Sequence, residues 1–198
     1  MEFFNPRKAV KVHGSSLPHW QQDNCPQLIT FREKGSLPQN LLRQWRQEKE
    51  SWLTRNAEPH NTAQLEEYRA LFTKPIEDAL DQGLGKCLLR EETNRKILEE
   101  TLMHSNGTKV EHLSWVIMPN HVHLLCRPMH PIEKLIQIWK GVSSRKMKHG
   151  AIWQSNYHDT MIRSEQHLYR AIHYIRDNPV TLKNSEYTLW ESDFAKAY

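Results

Sequence analysis

The segment 118–126 places His121 and His123 one residue apart in an otherwise apolar run. Because side chains alternate between the two faces of a strand, both imidazoles would lie on one face, with Val122 and Leu124 on the other. Two imidazoles on one face can bind a single metal ion. The alternative is a pair of hydrogen-bonded strand histidines without a metal, since a buried imidazole needs partners for its nitrogens. The spacing alone leaves both interpretations open.

The residues around this pair predict a β-hairpin over 109–127. The run 115–118 is strand-like, and Pro119 with Asn120 is typical of a turn. The two histidines would therefore begin the returning strand.

A second group of candidate residues lies on a predicted helix further along the chain. Ser164 is a typical N-cap, and Pro179 cannot continue a helix. Apolar residues recur at helical spacing between them: Leu168, Ala171, Ile172 and Ile175. Tyr174 and Asn178 are four residues apart, so they lie together on the flank of this apolar face.

Tyrosine and a metal ion together suit chemistry on phosphodiesters. Tyr174 could act as the nucleophile, because a tyrosyl phosphate ester keeps the energy of the broken bond for a later reversal. Its hydroxyl has an ordinary pKa of about 10, so it needs activation. A divalent cation held by two imidazoles and an amide oxygen could polarise the phosphate. Tyr169 and Tyr157 are rival nucleophiles, but Tyr169 lies far around the helix from Asn178 and Tyr157 falls in a predicted loop.

These motifs resemble a known family, the HUH-type single-tyrosine transposases, and in particular the REP-associated tyrosine transposases. The family carries a Met-Pro-Asn-His-Val-His-Leu-Leu motif and a later Tyr-Ile-x-x-Asn-Pro helix, which correspond here to 118–125 and 174–179. Further similar segments are dispersed along the chain at 29–32, 36–38, 139–141, 150–154, 157–159 and 162–163. The resemblance extends from about residue 27 to 180. The chain departs from the pattern after Val180, where the family usually has a glycine-containing turn.

The resemblance implies a metal-dependent endonuclease and strand transferase that acts on single-stranded DNA with a hairpin, such as a REP-like palindrome. It implies that His121 and His123 are metal ligands and that Asn178 is the third ligand, where related transposases use glutamine. It further implies that Tyr174 forms a 5′-phosphotyrosine and that the cation is Mg²⁺ or Mn²⁺. The implied fold is a ferredoxin-like HUH nuclease core.

The order of predicted elements indicates an α+β protein with helices packed on an antiparallel sheet. We expect a polar N-terminal tail or loop over 1–26 and a C-terminal tail over 181–198. Between them, the transposase-like domain would occupy 27–180. A helical insertion of about 38–82 would follow the first strand, which is predicted over 27–32.

A group of basic residues at the end of the helix after the hairpin could contact DNA: Lys140, Arg145, Lys146 and Lys148. A solvated helix end that complements the helix dipole explains the same residues equally well. Trp153 and Trp20 lie outside regular apolar periodicity, so we expect them to stack on unpaired bases. Trp115 and Trp139 occupy positions typical of a core.

The composition is compatible with a nucleic-acid enzyme and does not identify one. The net charge of +4 and pI near 8.9 permit binding to polyanions. The three cysteines form no metal-binding or disulfide pattern and favour a reducing compartment. No stretch approaches the roughly 20 apolar residues of a membrane helix. We expect a bacterial cytoplasmic protein, associated with the nucleoid when bound to DNA, without a membrane partner, and either monomeric or homodimeric.

Three functions remain open at this point. The first is a tyrosine transposase or single-strand endonuclease, which requires both histidines, Asn178 and Tyr174 to converge. The second is a catalytically inactive hairpin-DNA-binding protein derived from a transposase, against which the intact ligands and nucleophile argue. The third is a structural zinc protein, for which an amide is a poor ligand.

Overall fold

The fold comes from a computed structural model that describes residues 1–13, 19–56 and 62–198. Seven strands are formed in these ranges: β1 (Lys11–His13), β2 (His19–Gln21), β3 (Gln27–Arg32), β4 (Val110–Ile117), β5 (His121–Pro128), β6 (His158–Met161) and β7 (Thr188–Glu191). Strands β1 and β2 pair with each other, and the other five form the main sheet in the order β6-β3-β5-β4-β7. Every neighbouring pair in both sheets is antiparallel.

Seven α-helices accompany these strands: α1 (Gln39–Arg55), α2 (Thr62–Tyr68), α3 (Lys74–Asp81), α4 (Glu92–Met103), α5 (Ile132–Met147), α6 (Glu165–Asp177) and α7 (Asp193–Lys196). Without α1 to α3, the chain from β3 to β6 runs strand, helix, strand, strand, helix, strand. The order β6-β3-β5-β4 is that of a ferredoxin-like sheet. The predicted α+β class, with helices on an antiparallel sheet and a ferredoxin-like core, is therefore confirmed.

The sheet is covered by helices on both faces. Helices α4 and α5 pack on one face against residues such as Val122 and Leu124 of β5. Helix α6 packs on the other face, where Leu168 and Ile172 meet Leu125 of β5. Because side chains alternate along β5, the two histidines lie on the face that α6 covers.

The three helices that follow β3 form the helical insertion that the sequence predicts. Helix α2 continues into α3 through a π-helical turn over Arg69–Thr73. The indole of Trp45 in α1 donates a hydrogen bond to the carbonyl of Phe72, at 2.8 Å, which ties α1 to that turn. Leu80 near the end of α3 is buried with Leu37 and Leu42. The helices of the insertion are thus packed against one another.

Both ends of the chain differ from the tails that the sequence predicts. In the N-terminal segment, β1 and β2 form a small hairpin, and Gln22 and Cys25 are buried. In the C-terminal segment, β7 adds an edge strand beside β4, with Trp190 stacked on Trp115 at 5.8 Å between ring centroids. These strands are three or four residues long, too short for a detectable alternation of polar and apolar residues. Among the described residues, no helix is long and apolar enough to cross a membrane.

Candidate active site

The two histidines form a buried pair at the start of β5. His121 and His123 both have no exposed surface, and their Nε2 atoms lie 3.0 Å apart. Strand β3 lies beside them, because Thr30 is opposite His123 in the antiparallel register. The Thr30 hydroxyl and Nδ1 of His123 are 2.8 Å apart. Strand alternation thus brings the imidazoles together as the sequence predicts.

Asn120, in the turn before β5, determines the tautomer of His121. Its amide nitrogen donates hydrogen bonds to the backbone carbonyls of Leu80, at 3.2 Å, and Leu84, at 2.8 Å. The amide oxygen must therefore be the atom that faces Nδ1 of His121, at 2.7 Å. That nitrogen carries the proton, and Nε2 of His121 has a free lone pair. The 3.0 Å contact with His123 then requires either a proton on Nε2 of His123 or a cation bound to both nitrogens.

Burial keeps both imidazoles neutral. It lowers the pKa of His121 to about 3, and it lowers the pKa of His123 well below its ordinary value, with the neighbouring His121 as a smaller cause. Neutral imidazole is the form that binds metal ions. The pair is therefore ready to act as ligands at neutral pH.

Tyr174 reaches this pair from α6. The Ser164 hydroxyl caps the helix by accepting a hydrogen bond from the backbone N–H of His167, at 3.1 Å. The Tyr174 hydroxyl lies 3.1 Å from Nε2 of His123, and the two rings meet edge to face. Burial raises the pKa of Tyr174 above its ordinary value, and the nearby carboxylates of Glu77 and Asp81 raise it further. The hydroxyl is in place to react, but it needs a proton acceptor.

Asn178 follows α6 in a 3₁₀ turn, one helical turn beyond Tyr174. Its amide oxygen is buried and has no hydrogen-bond partner among the described residues. Leaving a buried acceptor unpaired costs about 1–3 kcal/mol, which coordination of a cation would relieve. Two neutral imidazoles and an amide oxygen are a donor set that suits a divalent cation. The donor types of these side chains therefore fit a divalent-cation site of the kind that the resemblance implies.

Two acidic residues of α3 complete this region, and sequence reasoning missed both. The Asp81 carboxylate lies 3.6 Å from Nε2 of His121, and one ligand atom each of Asp81, His121 and His123 lie within 4.8 Å of one another. Glu77 lies near the Tyr174 hydroxyl, and the negative charge of its carboxylate helps to raise the pKa of Tyr174. Burial raises the pKa of both carboxyl groups, that of Asp81 to about 6, with added repulsion from neighbouring carboxylates. The only signal in the sequence is their spacing of four residues on a predicted helix.

The predicted DNA-binding residues are partly brought together. A groove of about 610 Å³ at the end of α5 is lined by Lys140, Arg145, Lys148 and Trp153, together with residues of the 150–155 segment. Lys146 does not line this groove, and its ammonium lies 3.6 Å from a carboxylate oxygen of Glu100. The groove has a basic rim formed mainly by Arg145 and Lys148.

Two of the groove residues have structural partners. Lys140 donates to the backbone carbonyls of 154, 155 and 156 at 2.8–3.1 Å, and burial lowers its pKa to about 8. The Trp153 ring is only 5% exposed, and its N–H donates to the Ser143 hydroxyl at 2.8 Å. The expectation that Trp153 stacks on bases is therefore wrong, because its faces are covered by the core. Trp20 is 44% exposed and stays a stacking candidate.

The rival tyrosines lie apart from the histidine pair. Tyr157 is buried and stacks on His19, with ring centroids 3.7 Å apart. Tyr169 is exposed and packs on His173, one turn further along α6. Neither has a contact with His121 or His123 in the described part of the chain.

Comparison with known proteins relates the centre of the chain to one family. Residues 86–178 match the model of the family described as "Transposase IS200 like". This segment is similar to the IS200-like transposases. The match covers slightly less than half of the chain, and it confirms the resemblance to tyrosine transposases and supports a transposase function. The IS200-like segment contains His121, His123, Tyr174 and Asn178, and it excludes the insertion that carries Glu77 and Asp81.

Two solved structures are similar to this chain at low identity. One is a REP-associated tyrosine transposase bound to a REP hairpin, with 13% identity, a TM-score of 0.48 and coverage of 85% of this chain and 74% of that chain. The other is a candidate transposase of Deinococcus radiodurans R1, with 15% identity, a TM-score of 0.36 and coverage of 90% and 98%. Because both TM-scores are below 0.5, neither likeness decides the function. No curated protein matches the sequence significantly.

Proposed function

We propose that this protein is a metal-dependent single-stranded DNA endonuclease and strand transferase of the tyrosine transposase type. The observation that carries the proposal is the position of the Tyr174 hydroxyl, 3.1 Å from Nε2 of His123 in the buried histidine pair. A nucleophile beside ligands for a cation is the arrangement that attack on a phosphodiester requires. The IS200-like family match over this segment supports the proposal.

The side chains of His121, His123 and Asn178 would hold Mg²⁺ or Mn²⁺. When bound, the ion would polarise the scissile phosphate and offset its negative charge during the reaction. Three protein ligands leave coordination positions for a phosphate oxygen and water. Asn120 and Thr30 orient the two imidazoles through their other ring nitrogens, as partners of metal-binding histidines commonly do.

In the cleavage step, the Tyr174 oxygen attacks the phosphorus and the bond from phosphorus to the 3′ oxygen breaks. The products are a 5′-phosphotyrosine and a free 3′-hydroxyl, whose oxygen takes a proton from water. We infer that the Tyr174 proton passes to Glu77, the nearby carboxylate whose charge acts on this hydroxyl. His123 cannot take that proton when its Nε2 lone pair binds a cation. Reversal of the same step by another 3′-hydroxyl would join strands.

The substrate that we propose is single-stranded DNA with a hairpin, such as a REP-like palindrome. This choice is supported by the motif resemblance and by the basic groove at the end of α5, where Arg145 and Lys148 could contact phosphates. Unpaired bases beside a stem are also free to reach a tyrosine, whereas bases in a duplex are stacked.

The test is incubation of the protein with end-labelled hairpin DNA and Mg²⁺, followed by a denaturing gel. We expect a labelled band at the mass of protein plus DNA fragment. Tyr174→Phe should abolish this band, and Tyr169→Phe, a matched change on the same helix, should leave it unchanged. Equal adduct formation by Tyr174→Phe and the native protein would disprove the assigned nucleophile. An adduct absent under all metal conditions would favour an inactive hairpin-binding protein.

A further inference from the structure

The helical insertion is joined to the turn that carries the histidine pair. Asn120 donates hydrogen bonds to the carbonyls of Leu80, in the last turn of α3, and Leu84, just beyond it. The backbone N–H of Leu89 donates to the Pro119 carbonyl, at 3.1 Å. Leu80 is also almost fully buried. These contacts fix the end of α3 relative to the histidines, so the position of Asp81 follows from the packing of both segments.

The atoms of Asp81, His121 and His123 have separations that suit one cation. Mg²⁺ binds its ligands at about 2.0–2.1 Å in an octahedron, so adjacent ligand atoms lie about 3 Å apart and opposite ones about 4 Å apart. The two Nε2 atoms are 3.0 Å apart, and the Asp81 oxygen is 3.6 Å from Nε2 of His121. Both histidines are fully buried, and one ligand atom each of Asp81, His121 and His123 lie within 4.8 Å of one another. The fit needs only small movements of side chains.

We propose that Asp81 is a further ligand of the catalytic cation, supplied by the helical insertion. The proposal rests on the proposed function for the identity of the cation, but the binding itself does not require DNA. His121, His123 and Asn178 are neutral ligands, so Asp81 would give the site its negative charge. A carboxylate oxygen favours hard cations such as Mg²⁺ and Mn²⁺. With four protein ligands, an octahedral ion keeps two positions for a phosphate oxygen and a water molecule.

The test is a titration of the DNA-free, full-length protein with Mn²⁺, followed by the EPR signal of the free ion. Asp81→Asn should weaken Mn²⁺ binding by at least about tenfold, the lower range for loss of a group that supports a metal site. Asp78→Asn is the matched control, because Asp78 lies on the same helix and pairs with Lys74 at 3.0 Å. This control should change the affinity less than twofold. Asp81 is 36% exposed, so its substitution should leave the melting temperature without metal unchanged.

Repeating the Mn²⁺ titrations in about 0.5 M KCl distinguishes direct coordination by Asp81 from a long-range electrostatic effect of its charge. Salt screens distant charges strongly but leaves a direct metal bond, so the tenfold difference should persist. Unchanged Mn²⁺ affinity in Asp81→Asn, or a difference that disappears in high salt, would overturn the ligand role. If either result occurs while the native protein forms the covalent DNA adduct, the proposed nuclease stands without this ligand. If Asp81→Asn weakens Mn²⁺ binding but the native protein forms no adduct, the ligand role stands and the nuclease function fails.

Discussion

The Tyr174 hydroxyl lies 3.1 Å from Nε2 of His123, although the two residues are 51 positions apart in the chain. Tyr174 belongs to α6, and His123 belongs to β5, on the face of the sheet that α6 covers. Helix α6 holds its position through a buried apolar face, and β5 lies at the centre of the sheet. Tyr174 and the histidine pair are therefore positioned by two elements that are anchored in the core.

Glu77→Gln should slow the formation of the covalent DNA adduct by about 10²–10⁴-fold, the usual contribution of a positioned proton acceptor. Glutamine has nearly the same size and can still accept a hydrogen bond, but it cannot take up the Tyr174 proton. Single-turnover kinetics with hairpin DNA and Mg²⁺ measures the effect. Mn²⁺ affinity of the DNA-free protein should change little, in contrast to Asp81→Asn. A native rate in Glu77→Gln would show that another group accepts the proton.

Asn120→Asp should weaken Mn²⁺ binding by about 10–100-fold, because the residue orients a metal ligand. Aspartate keeps an oxygen for Nδ1 of His121 but loses both amide hydrogen bonds to the end of α3. Calorimetric titration with Mn²⁺ gives the affinity. Asn156→Asp is a control in an exposed segment. Equal affinity of Asn120→Asp and the native protein would show that His121 needs no such support.

Stability should decrease between pH 7.5 and 5.0 because of His112. Burial lowers its pKa to about 4, although a hydrogen bond with the Leu102 carbonyl acts in the opposite direction. The unfolded chain, with an ordinary pKa of about 6.5, binds the proton first, so acidification favours unfolding until the pH reaches about 4. At pH 5.0 the loss from this residue is about 2 kcal/mol. Urea unfolding at both pH values should show a smaller loss in His112→Gln, and an identical loss would contradict this assignment.

Charge reversal in the groove should separate residues that bind DNA from residues that support the fold. Arg145→Glu and Lys148→Glu should each reduce the slope of log affinity against log salt by about 0.7 for every phosphate that the native side chain neutralises. Lys140→Met should lower the melting temperature, because three backbone carbonyls lose their donor, and should leave that slope nearly unchanged. Fluorescence anisotropy with hairpin DNA at several salt concentrations measures the slopes. Unchanged slopes in Arg145→Glu and Lys148→Glu would mean that this helix end is merely solvated.

Local patterns predicted much of the framework. Strand β3 spans the six residues predicted, and the hairpin of β4 and β5 agrees within one residue at each end. Alternation in β5 correctly placed His121 and His123 on one face, and the spacing in α6 correctly placed Tyr174 on the flank of its apolar face. These features depend on residues that are close together in the sequence. The regular spacing of apolar and polar residues therefore predicts them.

Features that depend on tertiary packing could not be predicted in this way. Asp81 meets His121 only because the end of α3 docks on Asn120, and nothing in the local sequence of α3 indicates that contact. In the sequence, Lys140 looks like a DNA-binding lysine. Only the fold shows that its ammonium donates hydrogen bonds to the backbone carbonyls of residues 154–156. Strand β7 is recognisable only beside β4, where Trp190 stacks on Trp115.

The central claim is that Tyr174 becomes covalently joined to a 5′ phosphate of DNA. Its most direct test is protease digestion of the adduct formed with hairpin DNA and Mg²⁺, followed by peptide mass spectrometry. We expect the nucleotide mass on the peptide that contains Tyr174, and only when a divalent cation is present. A nucleotide on Tyr157 or Tyr169 instead, or an equally abundant adduct in excess chelator, would contradict the account.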